Sequence, residues 1–156
     1  MTKEFKDMKG VIAIATTPFN NENLIDFESV DRLSNYYIES KVSGVTILGV
    51  MGEAHKLNIE EQKTLIKRYV NNLINSVPVI VGVSNAGLDN LELLSKFSMD
   101  SGASGVMVSG NNGLKNDDQI KSYFNQVVDR TQDIPICLQD YPCLLYTSPS
   151  PRDSDQ

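Results

Sequence analysis

Apolar residues along this chain alternate between two rhythms. Short β-branched runs begin near Val11, Val45, Val77, Gly105 and Ile134, and helically spaced segments with recognisable ends separate them. After the first run comes a turn at Asn20 and Asn21. Asp26 then stands as an N-cap ahead of Phe27, Val30, Leu33 and Tyr37. Asn58 with Glu61 three residues later forms a capping-box start for a helix carrying Leu65, Ile66, Tyr69, Val70 and Leu73. Asp89 is expected to cap a third helix through Leu91, Leu94 and Phe97 that ends at Gly102. Asn116 is expected to cap a fourth, through Ile120, Tyr123, Phe124, Val127 and Val128, with Asp117 and Asp118 suited to its positive end. The run at 77–82 reads as a strand buried on both faces. Apolar strands joined by helical crossovers predict a parallel α/β sheet of about five strands with four intervening helices.

Two architectures satisfy this pattern. One is the N-terminal half of a (β/α)8 TIM barrel, truncated after its fifth strand, since a complete barrel needs about 250 residues. The other is a five-stranded doubly wound domain, for which 156 residues are comfortable. The C-terminal segment favours the half-barrel. From Cys143 onward the sequence has no period, clusters Ser and Pro, and offers no helix to return from a fifth strand. Residues 144–156 also resemble translated sequencing-adaptor read-through. Residues 1–142 are therefore read as a partial TIM barrel and 143–156 as a non-native or disordered tail.

Composition narrows the setting. With 40% apolar and 22% charged residues, the chain has the make-up of an ordinary globular domain. No apolar window reaches membrane-spanning length and the N-terminus leads into no signal-peptide core, so no membrane association and a cytoplasmic location are expected. Cys137 and Cys143 form no disulfide framework, and no Cys/His spacing resembles a metal site. A net charge of −6 argues against a nucleic-acid partner.

Candidate chemistry concentrates after the second strand. Gly49-Val50-Met51-Gly52-Glu53 is a Gly-x-x-Gly-Glu turn read as opening a helix. Its glycines let the main chain approach a ligand, and N–H groups at such a turn favour an anion such as a carboxylate. The same glycines would also serve a plain tight connection. Glu53 is expected to be structural and ionised, and His55, the only histidine, to be a surface residue near a helix start. Cys137 is read as packing in a buried strand. Asp140 and Gln139 fall at a strand's C-terminal end, where barrel enzymes keep their chemistry.

Four segments together resemble the dihydrodipicolinate synthase / N-acetylneuraminate lyase family, in order and across residues 10–142. They are residues 10–19 (GVIAIATTPF), 49–53 (GVMGE), 78–82 (PVIVG) and 135–142 (PICLQDYP). The resemblance implies a TIM barrel and lysine Schiff-base chemistry on pyruvate or another 2-keto acid, with no cofactor. The reaction would be aldol cleavage, condensation or dehydration. It also implies a homo-oligomer, tetramer or dimer.

Departures from the family pattern refine the picture. Family loops usually place two hydroxyl residues between the glycines, to bind the keto-acid carboxylate and relay protons, where this chain has Val50 and Met51. A hydrogen bond to a charged group contributes roughly 1.5–3 kcal/mol, so each missing hydroxyl weakens that contact by about tenfold to a hundredfold unless replaced. Backbone donors of Gly49, Val50, Met51 and Gly52 remain as substrate-binding candidates. The family's proton-shuttling tyrosine on strand five aligns with Gln139. Strand parity points Tyr141 to the same face, so Gln139, Asp140 and Tyr141 are the catalytic candidates. Asn112 takes a position where synthases carry a tyrosine and joins the binding candidates. The Gln-Asp-x-Pro end of strand five resembles the sugar-acid dehydratase side of the family, which makes a 2-keto acid or sugar acid the small-molecule partner.

The expected nucleophile is missing. A Schiff-base lysine must be desolvated near the C-terminal end of a strand. Lys41 precedes strand two, and Lys56 follows the site loop. Lys63, Lys67, Lys96 and Lys121 fall in helices, and Lys115 lies beyond the loop after strand four. All read as solvated surface residues. The family places its lysine on strand six, so this polypeptide is expected to be inactive alone. Exposed edges and apolar faces favour aggregation or dimeric self-completion. Two further readings stand behind the lyase: a non-catalytic keto-acid or sugar-acid binder of the same fold, and a doubly wound phosphate or flavin binding module. The last lacks a Gly-x-Gly-x-x-Gly or P-loop sequence after strand one.

Overall fold

A computed structural model describes residues 8–110, 113–114 and 116–139, and in them strand and helix alternate. The order is β1 (Ile12–Ile14), α1 (Phe27–Glu39), β2 (Gly44–Ile47), α2 (Ile59–Leu73), β3 (Val79–Gly82), α3 (Leu88–Asp100), β4 (Gly105–Ser109), α4 (Asp117–Thr131) and β5 (Ile136–Gln139). Three helices begin as the sequence predicts. Asp26 accepts the Ser29 N–H at 3.0 Å, Asn58 and Glu61 close a reciprocal capping box, and Asn116 accepts the Gln119 N–H at 3.0 Å.

The third helix differs. Its N-cap is Gly87, and Asp89 lies inside the first turn instead of capping it. There Asp89 binds Arg130 of α4 at 2.6 Å, so a tertiary ion pair takes the carboxylate that local capping was expected to use.

All five strands are parallel and their spatial order is β1-β2-β3-β4-β5. That sequential order overturns the doubly wound alternative, which requires the strand order to reverse at a switch point. The arrangement is the N-terminal half of a TIM barrel. Side chains alternate across the sheet. Val45, Ile47, Val79, Val81, Val106 and Val108 face the helices, in one core with Leu65, Ile66, Leu91 and Val127. Ile14, Thr46, Ile80 and Met107 take the opposite, lumenal face.

Burial falls away at the outer strands. Every residue of β2, β3 and β4 is buried, whereas β5 is only partly so and Cys137 is half-buried, a correction to its reading as part of a buried strand. Leu138 pairs in register with Val108 on the helix side, yet it is 55% exposed because no described element lies over it. Ile12 and Ile14 are similarly open on the lumenal side of β1. On the outer layer, Arg68 of α2 grips Asp31 of α1 with two donors, and the Asn72 amide donates to the same carboxylate at 2.8 Å. Among the described residues no helix is long and apolar enough to cross a membrane.

Candidate active site at the carboxyl ends of the strands

The chain leaves β2 through a constrained turn. Leu48 is buried and left-handed, with φ of 55°. A side chain there costs roughly 1–2 kcal/mol, and surrounding packing must hold it. That twist folds the loop over. Gly52 N–H donates to the Gly49 carbonyl at 3.0 Å and Glu53 N–H to the Val50 carbonyl at 3.1 Å. The turn does not open directly into α2, as the sequence reading had it. Glu53 is itself left-handed, and a short 3-10 helix, Ala54–Lys56, intervenes.

Two neighbours fix the loop from behind. The buried Thr17 hydroxyl donates to the Gly52 carbonyl at 2.6 Å. A Cβ on Gly52 would lie 3.1 Å from Leu48 N and 3.2 Å from the Ala15 carbonyl oxygen, so any larger residue here needs that backbone to give by a few tenths of an ångström. Its N–H is committed to the turn. Val50 and Met51, by contrast, are exposed, and their N–H groups donate to no backbone carbonyl among the described residues.

A cavity of about 630 Å³ opens in front of this loop at the carboxyl end of the sheet. Leu48, Gly49 and Val50 form one side; Gly82, Ser84 and Met107 line it from β3 and β4; Ser109 and Gln139 complete the far side. Of the predicted residues, the structure thus brings Gly49, Val50 and Gln139 together. Met51 and Gly52 do not line the cavity. Asn112, Asp140 and Tyr141 lie outside the described residues, as do Lys115 and the tail from 143 onward.

Several residues at this rim were not singled out by sequence reasoning. Ser84 and Ser109 are hydrogen-bonded to each other at 3.1 Å, and the Ser109 N–H donates to Ser84 Oγ at 2.9 Å. A usable signal existed: each is the first hydroxyl residue after an apolar run, with the parity of the lumenal face. Asn85 serves the β3–α3 turn by accepting the Gly87 N–H. His55 is exposed and borders the cavity. Glu53 pairs with Lys56, whose hydrogen bond and charge hold its carboxyl below the usual range. No described lysine lines the cavity. No group of three or more metal-ligating side chains occurs among the described residues.

A sequential parallel half-barrel with its cavity at the carboxyl rim defines the class: the N-terminal half of a (β/α)8 scaffold, open at the rim where such barrels carry their sites. The family model "Dihydrodipicolinate synthetase family" matches residues 7–151, and the chain belongs to that family, one of class I aldolase-like lyases. It is 30% identical over 135 residues to 4-hydroxy-tetrahydrodipicolinate synthase of Methanocaldococcus jannaschii, covering 86% of this chain and 46% of that protein. Among solved structures it resembles dihydrodipicolinate synthase from Rhodopseudomonas palustris, with TM-score 0.82 and 43% identity over 85% of this chain and 44% of that one. It also resembles YagE, a prophage protein of E. coli K12 solved in complex with pyruvate, with TM-score 0.78 and 27% identity over 86% and 45%. N-acetylneuraminate lyase of Proteus mirabilis, at 20% identity and TM-score 0.75, shares the fold. The chain spans a little under half the length of these relatives.

Proposed function

We propose that this chain is the N-terminal half of a Schiff-base-forming 2-keto acid lyase, aldolase or dehydratase whose reactive lysine comes from the other half of the barrel. One observation carries the reading: the cavity is bordered by Val50, in a loop whose Val50 and Met51 N–H groups donate to no backbone carbonyl among the described residues, has the Gln139 amide on its far side, and is lined by no described lysine. In this reading the Val50 and Met51 N–H groups hold the substrate carboxylate. The incoming amine attacks the keto carbon and water leaves as the imine forms. Gln139, with Asp140 and Tyr141 beyond it, assists proton transfer. A family neighbour solved with pyruvate supports a keto-acid ligand. A cytoplasmic location and a homo-oligomer, dimer or tetramer, accompany the proposal.

Val50 and Met51 also favour a second reading, a keto-acid or sugar-acid binder that kept the fold without the chemistry. One experiment separates the two. The coding sequence is recovered beyond Pro142, and the protein bearing both barrel halves is treated with borohydride and a panel of 2-keto acids. A covalent adduct on a lysine of the second half is expected. Binding without any adduct would overturn the lyase reading and leave the binder.

A further inference from the structure

The two serines at the ends of β3 and β4 contain an unbalanced hydrogen-bond count. Ser84 Oγ accepts the Ser109 N–H at 2.9 Å, and the two hydroxyls are bonded to each other at 3.1 Å. Two hydroxyls carry two protons. Their mutual bond uses one, and the backbone N–H occupies a lone pair and uses neither. No other side chain or carbonyl among the described residues takes the second proton.

Burial decides where that proton is presented. Ser109 is 5% exposed and lies behind, while Ser84 is exposed, and both border the cavity. Gln139 sits directly in register with Ser109 on β5 and adds an amide with both donor and acceptor. The facing side of the cavity is formed by Leu48, Gly49 and Val50, with His55 further along the same connection as its polar side chain. The hydroxyls and amides that line the cavity, Ser84, Asn85, Ser109 and Gln139, are thus gathered after β3 and at the ends of β4 and β5, opposite the loop that supplies backbone donors.

We propose that Ser84, oriented by Ser109 as a positioning residue, is a specificity-determining residue that donates to an oxygen on the non-reacting tail of the substrate. The favoured substrate is then a 2-keto acid whose tail carries hydroxyl groups. This rests on the 2-keto acid reading above.

The test uses the protein bearing both barrel halves, with Ser84→Ala, Ser109→Ala and the hydroxyl-retaining Ser84→Thr. The keto-acid concentration giving half-maximal borohydride trapping is measured with pyruvate and with 2-keto-3-deoxygluconate. Loss of one neutral hydrogen bond corresponds to about three- to tenfold. Ser84→Ala is expected to raise the value for the hydroxylated acid by that factor and leave pyruvate within about twofold. Ser109→Ala should move it the same way by less, and Ser84→Thr should retain the wild-type value. An equal shift for both acids would reduce Ser84 to a structural part, and no shift for either would overturn the proposal. A second measurement separates this inference from the Schiff-base reading: calorimetric titration with D-gluconate, which has hydroxyls but no ketone. If trapping fails throughout yet Ser84→Ala weakens gluconate binding severalfold, the Schiff-base reading falls and the tail contact stands. Absent or unaltered gluconate binding together with failed trapping would sink both.

Discussion

Gly82→Ala would place a methyl group where the strained end of β2 already lies. Gly82 has no left-handed φ, so alanine's backbone preferences are satisfied, and the lower unfolded-state entropy alone would stabilise by about 0.4–1 kcal/mol. Packing opposes that. The new Cβ would be 2.7 Å from the Leu48 carbonyl carbon, closer still to its oxygen, and 3.1 Å from Gly49 N. These are backbone atoms, which cannot rotate aside. Overpacking of this kind costs about 1–3 kcal/mol, so the net loss runs from near zero to about 2.6 kcal/mol. That shifts Tm by only a few degrees in an enzyme of this family's size. Function should suffer more, because Leu48 and Gly49 carry the Val50 and Met51 donors. A misplacement on the order of 1 Å can cost about a hundredfold in reactivity. The assay is borohydride trapping with pyruvate beside thermal unfolding, both on the protein with its complete barrel. Gly49→Ala provides a stability comparison, since its Cβ would meet only side-chain ends, Met107 Cε at 3.3 Å and Ile14 Cγ2 at 3.6 Å. Wild-type trapping and Tm in Gly82→Ala would refute the argument that Gly82 sets the position of the loop.

Two further outcomes follow from the same structure. Val50→Thr restores a hydroxyl at an exposed position that borders the cavity, and it should lower the pyruvate concentration for half-maximal trapping by about tenfold; an unchanged value would mean that the loop does not meet the carboxylate. Asp31 is held ionised below its ordinary 3.8 by the Arg68 hydrogen bond first and the Asn72 hydrogen bond second. Its contribution to stability is therefore fully present above that value and is lost as pH falls through the lower folded pKa. Urea midpoints from pH 6 down to pH 2 should decline less steeply in Asp31→Asn than in wild type, and parallel curves would count against the linkage.

The fold was legible because each local signal agreed with its neighbours. Capping residues Asp26, Asn58 and Asn116 start their helices where predicted, and β-branched runs became strands. The exception is instructive. Asp89 has an N-cap's chemistry, but Arg130 arrives from α4, and a partner 41 residues away is invisible to local pattern. The choice between half-barrel and doubly wound sheet was likewise a question of spatial order, which periodicity does not encode.

The site was legible at Gly49, Val50 and Gln139 and missed at Ser84 and Ser109, for a physical reason. Gly49 and Val50 announce themselves through glycine spacing, a local feature of one loop. Ser84 and Ser109 lie 25 residues apart and become a unit only when β3 and β4 pair. Parity alone assigns each to the lumenal face; register is needed to make them partners. That division also bears on how the cavity handles substrate. Between its two glycines this chain has Val50 and Met51, neither of which bears a hydroxyl. It carries its side-chain hydroxyls instead on two neighbouring strands, next to Gln139. Backbone donors suit a carboxylate, whose recognition needs no side-chain identity, and they free the side-chain hydroxyls for the part of the ligand that varies. On the proposed reading, changing Ser84 alone alters the choice of tail and leaves the carboxylate contact untouched, a separation that the paired trapping measurements read directly.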